Sequence, residues 1–235
     1  MRRAPRSFEM HIGLIGGIGV AATVAYYQRL TQAVEGRVEI TIVHAQVQDL
    51  VKNFAADDRH AQARVYAGLI DRLKAAGCDL AAITSLGGHF CFDETVPLSS
   101  LPLVSGVSCL DAYFEQEDLG TVGLLGTAVV MRTGLYGALR KTRALAPEGD
   151  LAAIGQRYQD LAIRGRAAEG DGAFFFAEGD ALVRRGADAV VLAGTDLNLV
   201  FDGADPGYRV VDALDVHVDV LARLATGAVT LDEVT

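Results

Sequence analysis

The sequence predicts an α/β protein built from two pseudo-symmetric α/β domains, each with a mainly parallel sheet flanked by helices. A Gly-x-Asp turn, a short apolar run and a cluster of small polar residues follow one another twice, at residues 77–89 and 186–197. Upstream, Ile12-Gly-Leu-Ile-Gly-Gly resembles Val122-Gly-Leu-Leu-Gly-Thr. The two pairs are offset by 186 − 77 = 109 and 122 − 12 = 110 residues. Two landmarks at nearly equal spacing indicate a duplicated unit.

Short apolar runs that end in small polar residues are typical of buried parallel strands whose carboxyl ends open on a site. Ligands of such sheets bind outside the carboxyl ends of the strands. We therefore expect the site in the cleft between the two domains, with Ser85 and Gly194 facing each other across it.

Composition and charge favour a compact protein that binds a small molecule. The 235 residues are 51% hydrophobic and 22% charged, enough to bury the cores of two small domains. A net charge of −9 disfavours nucleic acid and anionic membranes as partners. Cys78, Cys91 and Cys109 match neither a disulfide framework nor a zinc site and suit a reducing cytoplasm. The five histidines lack metal-ligand spacing, so we predict no metal.

The amino terminus invites a different interpretation. Met1–Arg6 is basic and precedes an apolar stretch, as in a secretion signal, but a small-x-small cleavage site is missing. The repeat of that stretch at Val122 indicates a structural strand instead. Because no apolar run approaches the roughly 18 residues of a membrane helix, we expect a cytoplasmic protein without a membrane partner.

The first domain begins with a strand at residues 12–16, a glycine turn to Gly19, a helix through Leu30 and a strand at 38–43. The turn fits the loosest dinucleotide fingerprint, in which amides at a helix start receive a pyrophosphate. The second strand ends in His44-Ala-Gln46, without the acid that would bind a ribose. A nucleotide-dependent oxidoreductase is therefore the lesser alternative. A tight strand-to-helix turn without a ligand is the other alternative, and we prefer the interpretation in which these amides receive one substrate carboxylate.

The chain then continues through a polar loop to His60 and a helix of about residues 61–76, which Gly77 ends. Arg59 lies just before this helix, where its guanidinium either holds a substrate carboxylate or is solvated. A helix opening at residues 89–94, a short strand within 98–107 and a helix around 109–114 complete the domain.

The second domain follows the acidic boundary at residues 115–118. We predict its elements as a strand at 121–126, a helix at 131–139, a polar section at 140–170, a helix at 174–185 and a strand at 186–197. The last strand, 208–212, and helix, 215–224, have no evident counterpart and are assigned to the first domain. The predicted domains are thus residues 1–117 plus 208–235, and residues 118–207.

Four stretches occur in order along the chain: Gly16-Gly-Ile-Gly-Val-Ala-Ala-Thr23, Gly123-Leu-Leu-Gly-Thr127 with Met131 and Tyr136, Gly186-Ala-Asp-Ala-Val-Val-Leu, and Val211-Asp-Ala-Leu-Asp-Val-His217. Together they resemble the aspartate/glutamate racemase superfamily, over roughly residues 11–225. The resemblance implies a cofactor-independent enzyme, often a homodimer, that holds a small carboxylate or amino acid between its domains.

The two strand ends depart from the pattern of that family, which reads Cys-Asn-Thr-x-His and Gly-Cys-Thr-Glu. The matching residues are Ser85-Leu-Gly-Gly-His89 and Ala193-Gly-Thr-Asp196, so both thiols are lost. Racemisation needs two groups that each act as base and acid, a role to which a thiol can be tuned. A serine needs a partner base, and Gly194 has no side chain. A reaction with one proton transfer, such as decarboxylation, elimination or isomerisation, tolerates the missing base better, while a racemase-like isomerase remains what the resemblance implies.

The remaining polar residues supply the candidates for the site. We predict Ser85, His89, Thr195 and Asp196 as catalytic residues, with His89 as acid or base or as a cap of the strand end. Cys91 either replaces a lost thiol or is a small buried hydrophobe. The predicted substrate-binding residues are Gly17, Gly19, Thr23, Arg59, Gly87, Thr127, Gly194 and His217.

A second hypothesis is a non-catalytic paralogue that senses a metabolite in the same cleft. In either case we expect specificity to depend on the segments 46–59 and 140–170.

Overall fold

The computed structural model describes residues 10–17 and 19–234 and contains two four-stranded parallel sheets. The first has the order β2-β1-β3-β4, formed by β1 (His11–Gly16), β2 (Glu39–His44), β3 (Leu80–Ile83) and β4 (Leu103–Val104). The second has the order β6-β5-β7-β8, formed by β5 (Thr121–Leu125), β6 (Arg143–Leu145), β7 (Ala189–Leu192) and β8 (Val210–Asp212). The same strand order in both sheets confirms the predicted duplicated α/β fold.

Ten α-helices of the described residues flank these sheets. They are α1 (Val20–Ala33), α2 (Val47–Ala55), α3 (Arg59–Ala76), α4 (Phe92–Thr95), α5 (Ser108–Gln116), α6 (Ala128–Thr133), α7 (Leu151–Arg164), α8 (Asp171–Arg184), α9 (Asn198–Phe201) and α10 (Ala213–Ala225). None of them, within the described ranges, is long and apolar enough to cross a membrane.

The two Gly-x-Asp turns have the same function in both halves. Gly77 and Gly186 are left-handed, each with φ of +95°, a conformation that glycine adopts without steric cost. Oδ2 of Asp79 accepts a hydrogen bond from the first N–H of β1, and Oδ2 of Asp188 accepts one from the first N–H of β5, each at 2.8 Å. Each carboxylate therefore ties the start of one central strand to the turn before the next.

Three predicted boundaries are wrong. The expected polar loop after His44 contains α2, and the polar section 140–170 contains β6 and α7. The helix predicted at residues 131–139 ends at Thr133, because Gly134 takes a left-handed conformation with φ of +60°.

The carboxyl-terminal strand and helix do have counterparts, contrary to our prediction. Strand β8 pairs in parallel with β7, so residues 210–212 belong to the second sheet, as β4 belongs to the first. The following helix, α10, crosses back and packs on the first half, where Leu214 and Leu221 share a core with Tyr26 and Leu30. This crossing links the second sheet to the core of the first half.

Candidate functional site

A cavity of about 330 Å³ lies between the two halves. Ser85 and Gly87 reach it after β3, Thr127 after β5 and Asp196 after β7, so the carboxyl ends of three central strands meet there. The rest of the lining comes from α2 and α7, namely Val47, Leu50, Val51, Phe54, Ala55, Tyr158, Gln159, Ala162 and Ile163. The cleft position agrees with the fold-based prediction.

Asp196 is the buried carboxyl group of this cavity. Its Oδ1 accepts a hydrogen bond from the N–H of Ala22 at 3.0 Å, and its Oδ2 accepts one from the Tyr158 hydroxyl at 3.4 Å. Burial raises the pKa of Asp196 to about 6, and these two hydrogen bonds partly oppose the increase. Asp196 therefore titrates close to neutral pH, which suits a group that both takes and returns a proton.

The same contact changes the interpretation of the glycine turn. Asp196 belongs to the second half, yet its carboxylate accepts a hydrogen bond from an amide in the first turn of α1. A Cβ built on Gly19 would overlap this carboxylate. The turn predicted to receive a substrate carboxylate thus receives one from the protein, at the helix terminus that favours negative charge.

Gly17 and Thr23 support the turn from within. The N–H of Gly17 donates to Oγ1 of Thr23 at 3.1 Å, and the same oxygen lies 3.1 Å from Oγ1 of Thr84. Thr23 also donates to the carbonyl oxygen of Gly19 at 3.0 Å. Gly17, Gly19 and Thr23 do not line the cavity, although all three were predicted to bind substrate.

Gly194, at the position of the second lost thiol, is covered by an aromatic ring. A Cβ built on Gly194 would lie 2.5 Å from Cζ of Tyr158, so the ring fills the space that a cysteine would need. Tyr158 is buried, and burial followed by the charge of Asp196 raises its pKa well above the usual value. Its phenol stays neutral and serves as a hydrogen-bond donor to Asp196.

Thr195 links the two strand ends. Its hydroxyl donates to the carbonyl oxygen of Thr84 at 3.4 Å, and Thr84 in turn donates to the carbonyl oxygen of Ile15 at 3.1 Å. Thr195 is buried and does not reach the cavity. The contact holds β3 and β7 together and gives no support to the predicted catalytic role.

Ser85 lines the cavity as predicted. Its Oγ accepts a hydrogen bond from the N–H of Gly88 at 3.3 Å, and no base among the described residues hydrogen-bonds to this oxygen. Because a serine nucleophile needs such a base, the geometry favours Ser85 as a donor to a ligand.

His89 has both ring nitrogens engaged. Its Nε2 accepts a hydrogen bond from the N–H of Gly106 at 3.0 Å, which places the proton on Nδ1, and Nδ1 donates to the carbonyl oxygen of Ser85 at 2.7 Å. Burial lowers the pKa of His89 to about 4. The imidazole therefore stays neutral, and its two hydrogen bonds support the predicted role as a cap of the strand end rather than that of acid or base.

His217 lies deeper in the core than predicted. Its Nδ1 is 2.9 Å from the Tyr26 hydroxyl, and the side chain is fully buried. Burial, followed by the neighbouring His89, lowers its pKa to about 3. His217 does not contact the cavity, which leaves its predicted substrate contact without support.

Arg59 lies in a neighbouring cavity. It begins α3, is half-exposed, and approaches Asp57 at 3.4 Å and Glu94 at 3.8 Å. This second cavity, of about 700 Å³, adjoins the first because Phe54, Thr127 and Gln159 line both. Arg59 is thus not among the residues that line the cavity of Asp196.

The cysteines supply no replacement thiolate. Burial raises the pKa of Cys91 to about 11 and that of Cys109 to about 12, and it also raises the pKa of Cys78. None of them lines the cavity. Within residues 10–17 and 19–234, no three His, Cys, Asp or Glu side chains are grouped as metal ligands.

Sequence reasoning missed Tyr158, Gln159 and the apolar face of α2. The spacing of Val47, Leu50, Val51 and Phe54 is that of one helix face and was a usable signal. For α7 the signals were the amino-terminal cap Asp150, which accepts from two amides, and the left-handed Gly165 at the other end.

Residues 15–221 match the family described as Asp/Glu/Hydantoin racemase. An aspartate racemase homologue from Pyrococcus horikoshii is 19% identical, with 92% of this chain and 99% of that chain covered and a TM-score of 0.73. The aspartate racemase of Picrophilus torridus is 18% identical, with 92% and 94% covered and a TM-score of 0.74.

The allantoin racemase of Klebsiella pneumoniae is 16% identical, with 95% and 90% covered and a TM-score of 0.63. At these identities, the likenesses show the fold. No curated protein matches the chain.

Proposed function

The chain belongs to the Asp/Glu/hydantoin racemase family, and we propose that it is a member that transfers protons with one acid–base group, the Asp196 carboxyl assisted by Tyr158. Ser85 and Gly194 stand at the two positions where the resemblance implies catalytic cysteines.

The observation that carries this proposal is the set of side chains around the cavity. Asp196 is the one carboxyl among the described residues that line it, and Lys, Arg, His and Cys are absent from that lining. The pKa of Asp196, raised by burial to about 6, suits proton transfer near neutral pH. Tyr158 donates to the carboxylate and holds it in place.

The proposed reaction is a one-sided proton transfer at a carbon next to a carbonyl group. In an isomerisation, ionised Asp196 takes the proton of that carbon, the C–H electron pair moves into an enolate, and protonated Asp196 then returns the proton to a different atom of the enolate. In a decarboxylation, the C–C pair moves into the enolate as carbon dioxide leaves, and protonated Asp196 then donates to the carbon. Among the side chains that line the cavity, the hydroxyl groups of Ser85 and Thr127 and the amide of Gln159 can donate to the enolate oxygen.

Racemisation is disfavoured because it needs a second base on the opposite face of the reacting carbon. Ser85 has no base at its Oγ among the described residues, and Tyr158 keeps its proton. The proposed substrate remains a small carboxylate, amino acid or related carbonyl compound.

The test is solvent deuterium exchange. Each enantiomer of a panel of small amino acids and 2-substituted carboxylates is incubated with the protein in deuterium oxide and followed by NMR. We expect exchange in one enantiomer, a rate that rises with pH through about 6 as Asp196 ionises, and loss of exchange in Asp196→Asn. Cys91→Ser is the matched control and should exchange normally. Equal exchange of both enantiomers would show a two-base racemase instead.

A second candidate is the non-catalytic binding paralogue. It is favoured by the hydrogen bond of Asp196 to Ala22, which gives the carboxylate a structural role at the start of α1. This alternative requires saturable binding without exchange, and Ser85→Ala should then change affinity alone.

Cofactor independence, a homodimer and a cytoplasmic location are also part of the proposal. The cytoplasmic location is supported by the three free cysteines. Light scattering at several protein concentrations tests the dimer.

A further inference from the structure

We infer that the ligand of this site carries an apolar substituent, which lies between α2 and α7. The inference rests on the proposed position of the site at Asp196 and specifies the kind of molecule that binds there. Six side chains form this apolar clamp, namely Val47, Leu50, Val51 and Phe54 of α2 and Ala162 and Ile163 of α7.

The geometry of α2 directs one face at the cavity. Its four apolar residues recur at i, i+3, i+4 and i+7, so they form a single stripe along the helix. On the other side, Tyr158 and Ala162 are one turn apart on α7, with Ile163 beside them. A substituent that enters from the mouth therefore meets hydrocarbon on two sides before it reaches Asp196.

Exposure at the mouth supports the same inference. Val51 is 54% exposed and Ile163 is 67% exposed, although both are large apolar side chains that line the cavity. Covering them removes apolar surface from water, which favours binding. The volume of about 330 Å³ is within the range of small-molecule pockets, roughly 300–1,000 Å³.

The charges around the cavity argue against an acidic amino acid as the ligand. A second carboxylate in the cavity would meet Asp196 and the apolar walls, and the described lining offers no Lys, Arg or His to neutralise it. An unpaired charge in such surroundings is costly. Arg59, His89, Arg132 and Arg140 line the adjoining second cavity instead.

The binding test uses three neutral-backbone probes that differ in the side chain. N-acetyl-phenylalaninamide, N-acetyl-leucinamide and N-acetyl-aspartic acid α-amide, each as L and D forms, are titrated into the full chain by calorimetry at pH 7.5. We expect the two apolar probes to bind at least about tenfold more tightly than the aspartic acid probe. Tighter binding of the aspartic acid probe, or no binding of any probe, would overturn the inference.

Three exposed positions provide the matched variants. Val51→Asp and Ile163→Asp place a charge on the clamp, whereas Val24→Asp places one on α1, where Val24 is 58% exposed and lies outside the cavity lining. The first two should weaken the apolar probes at least about fivefold, and the third should leave binding unchanged. Equal effects of all three would contradict the clamp.

The two proposals fail separately. If the apolar probes bind but no compound exchanges deuterium, the inference of an apolar clamp stands and the catalytic proposal is excluded. If aspartate exchanges deuterium in a reaction that depends on Asp196, and the apolar probes bind weakly, the catalytic proposal stands and the apolar clamp is excluded.

Discussion

The ring of Tyr158 lies so close to the backbone of Gly194 that a Cβ at position 194 would be 2.5 Å from Cζ of the ring. Gly194 has φ of −115° and ψ of 108°, which any residue can adopt, so the requirement for glycine is steric. The lost thiol and the tyrosine are therefore coupled, because a cysteine cannot return to position 194 while the ring stays in place.

We expect Gly194→Ala to destabilise the protein by about 1–3 kcal/mol through overpacking. Tyr158→Ala alone should cost about 3–5 kcal/mol because it leaves a cavity. In the double variant the added methyl no longer meets the ring. Its loss in the free energy of unfolding should therefore be smaller than the sum of the two single losses by about 1 kcal/mol or more. Urea unfolding of all four proteins measures this difference, and additive costs would show that the residues do not interact.

The second prediction concerns pH and Asp196. Burial raises its pKa to about 6 in the folded protein, above the ordinary 3.8. Between these values the folded protein holds a proton that the unfolded chain has lost, so the contribution of Asp196 to stability is largest below pH 4 and is lost as pH rises through 6. By pH 8 the loss amounts to at most about 3 kcal/mol.

Asp196→Asn removes this titration and serves as the reference. The free energy of unfolding of the native chain minus that of the variant should decrease from pH 4 to pH 8, with its midpoint near 5. Asp212, whose pKa burial also raises to about 6, is present in both proteins and cancels. Parallel stability curves would mean that Asp196 has an ordinary pKa.

Two glycine substitutions test the contact between Asp196 and α1. Gly19→Ala places a methyl group on the Asp196 carboxylate and should move it away from the Ala22 amide, at a cost of about 1–3 kcal/mol. Gly68→Ala is the control, since Gly68 lies within α3 with no atom within 4 Å of the new methyl. The control should gain about 0.5–1 kcal/mol from helix propensity. Thermal unfolding with matched scan rates distinguishes the two signs.

The sequence was sufficient to predict the repeated fold because the duplication left matched landmarks. The Gly-x-Asp turns, and the strand ends at Ser85 and Asp196, were predictable from short sequence patterns that are present in each half. The crossing of α10 to the first half was also predicted, whereas β8 was placed in the wrong sheet. A three-residue strand has too short a pattern to reveal its partner.

The candidate site was less predictable because the type of a polar residue does not show whether its hydrogen bonds go to a ligand or to the protein. His89, Thr195 and His217 have chemically suitable side chains, yet each directs its hydrogen bonds at the protein itself. No local pattern connects Tyr158 to Gly194 across 194 − 158 = 36 residues. Such contacts arise from tertiary packing.

The last prediction follows from the duplication. Gly13 in β1 and Gly123 in β5 each face a leucine of the helix that precedes the next central strand. A Cβ on Gly13 would be 2.7 Å from Cδ1 of Leu73, and one on Gly123 would be 2.8 Å from Cβ of Leu182. The first clash involves the end of a flexible side chain, which can rotate, but the second involves an atom bonded to the backbone. Gly123→Ala should therefore be the more damaging change.

We expect a loss of about 1 kcal/mol for Gly13→Ala and of about 2–3 kcal/mol for Gly123→Ala. Truncation of the leucine provides the control. Leu73→Ala removes all three close atoms at Gly13, whereas Leu182→Ala removes Cδ1 and Cγ but keeps the closest atom at Gly123, Cβ. The double variant should thus recover more stability, relative to the sum of its single changes, in the first half than in the second. Urea unfolding of the single and double variants of each half measures these differences in the free energy of unfolding. Equal recovery in both halves would mean that helix α8 shifts as a body to accommodate the methyl group.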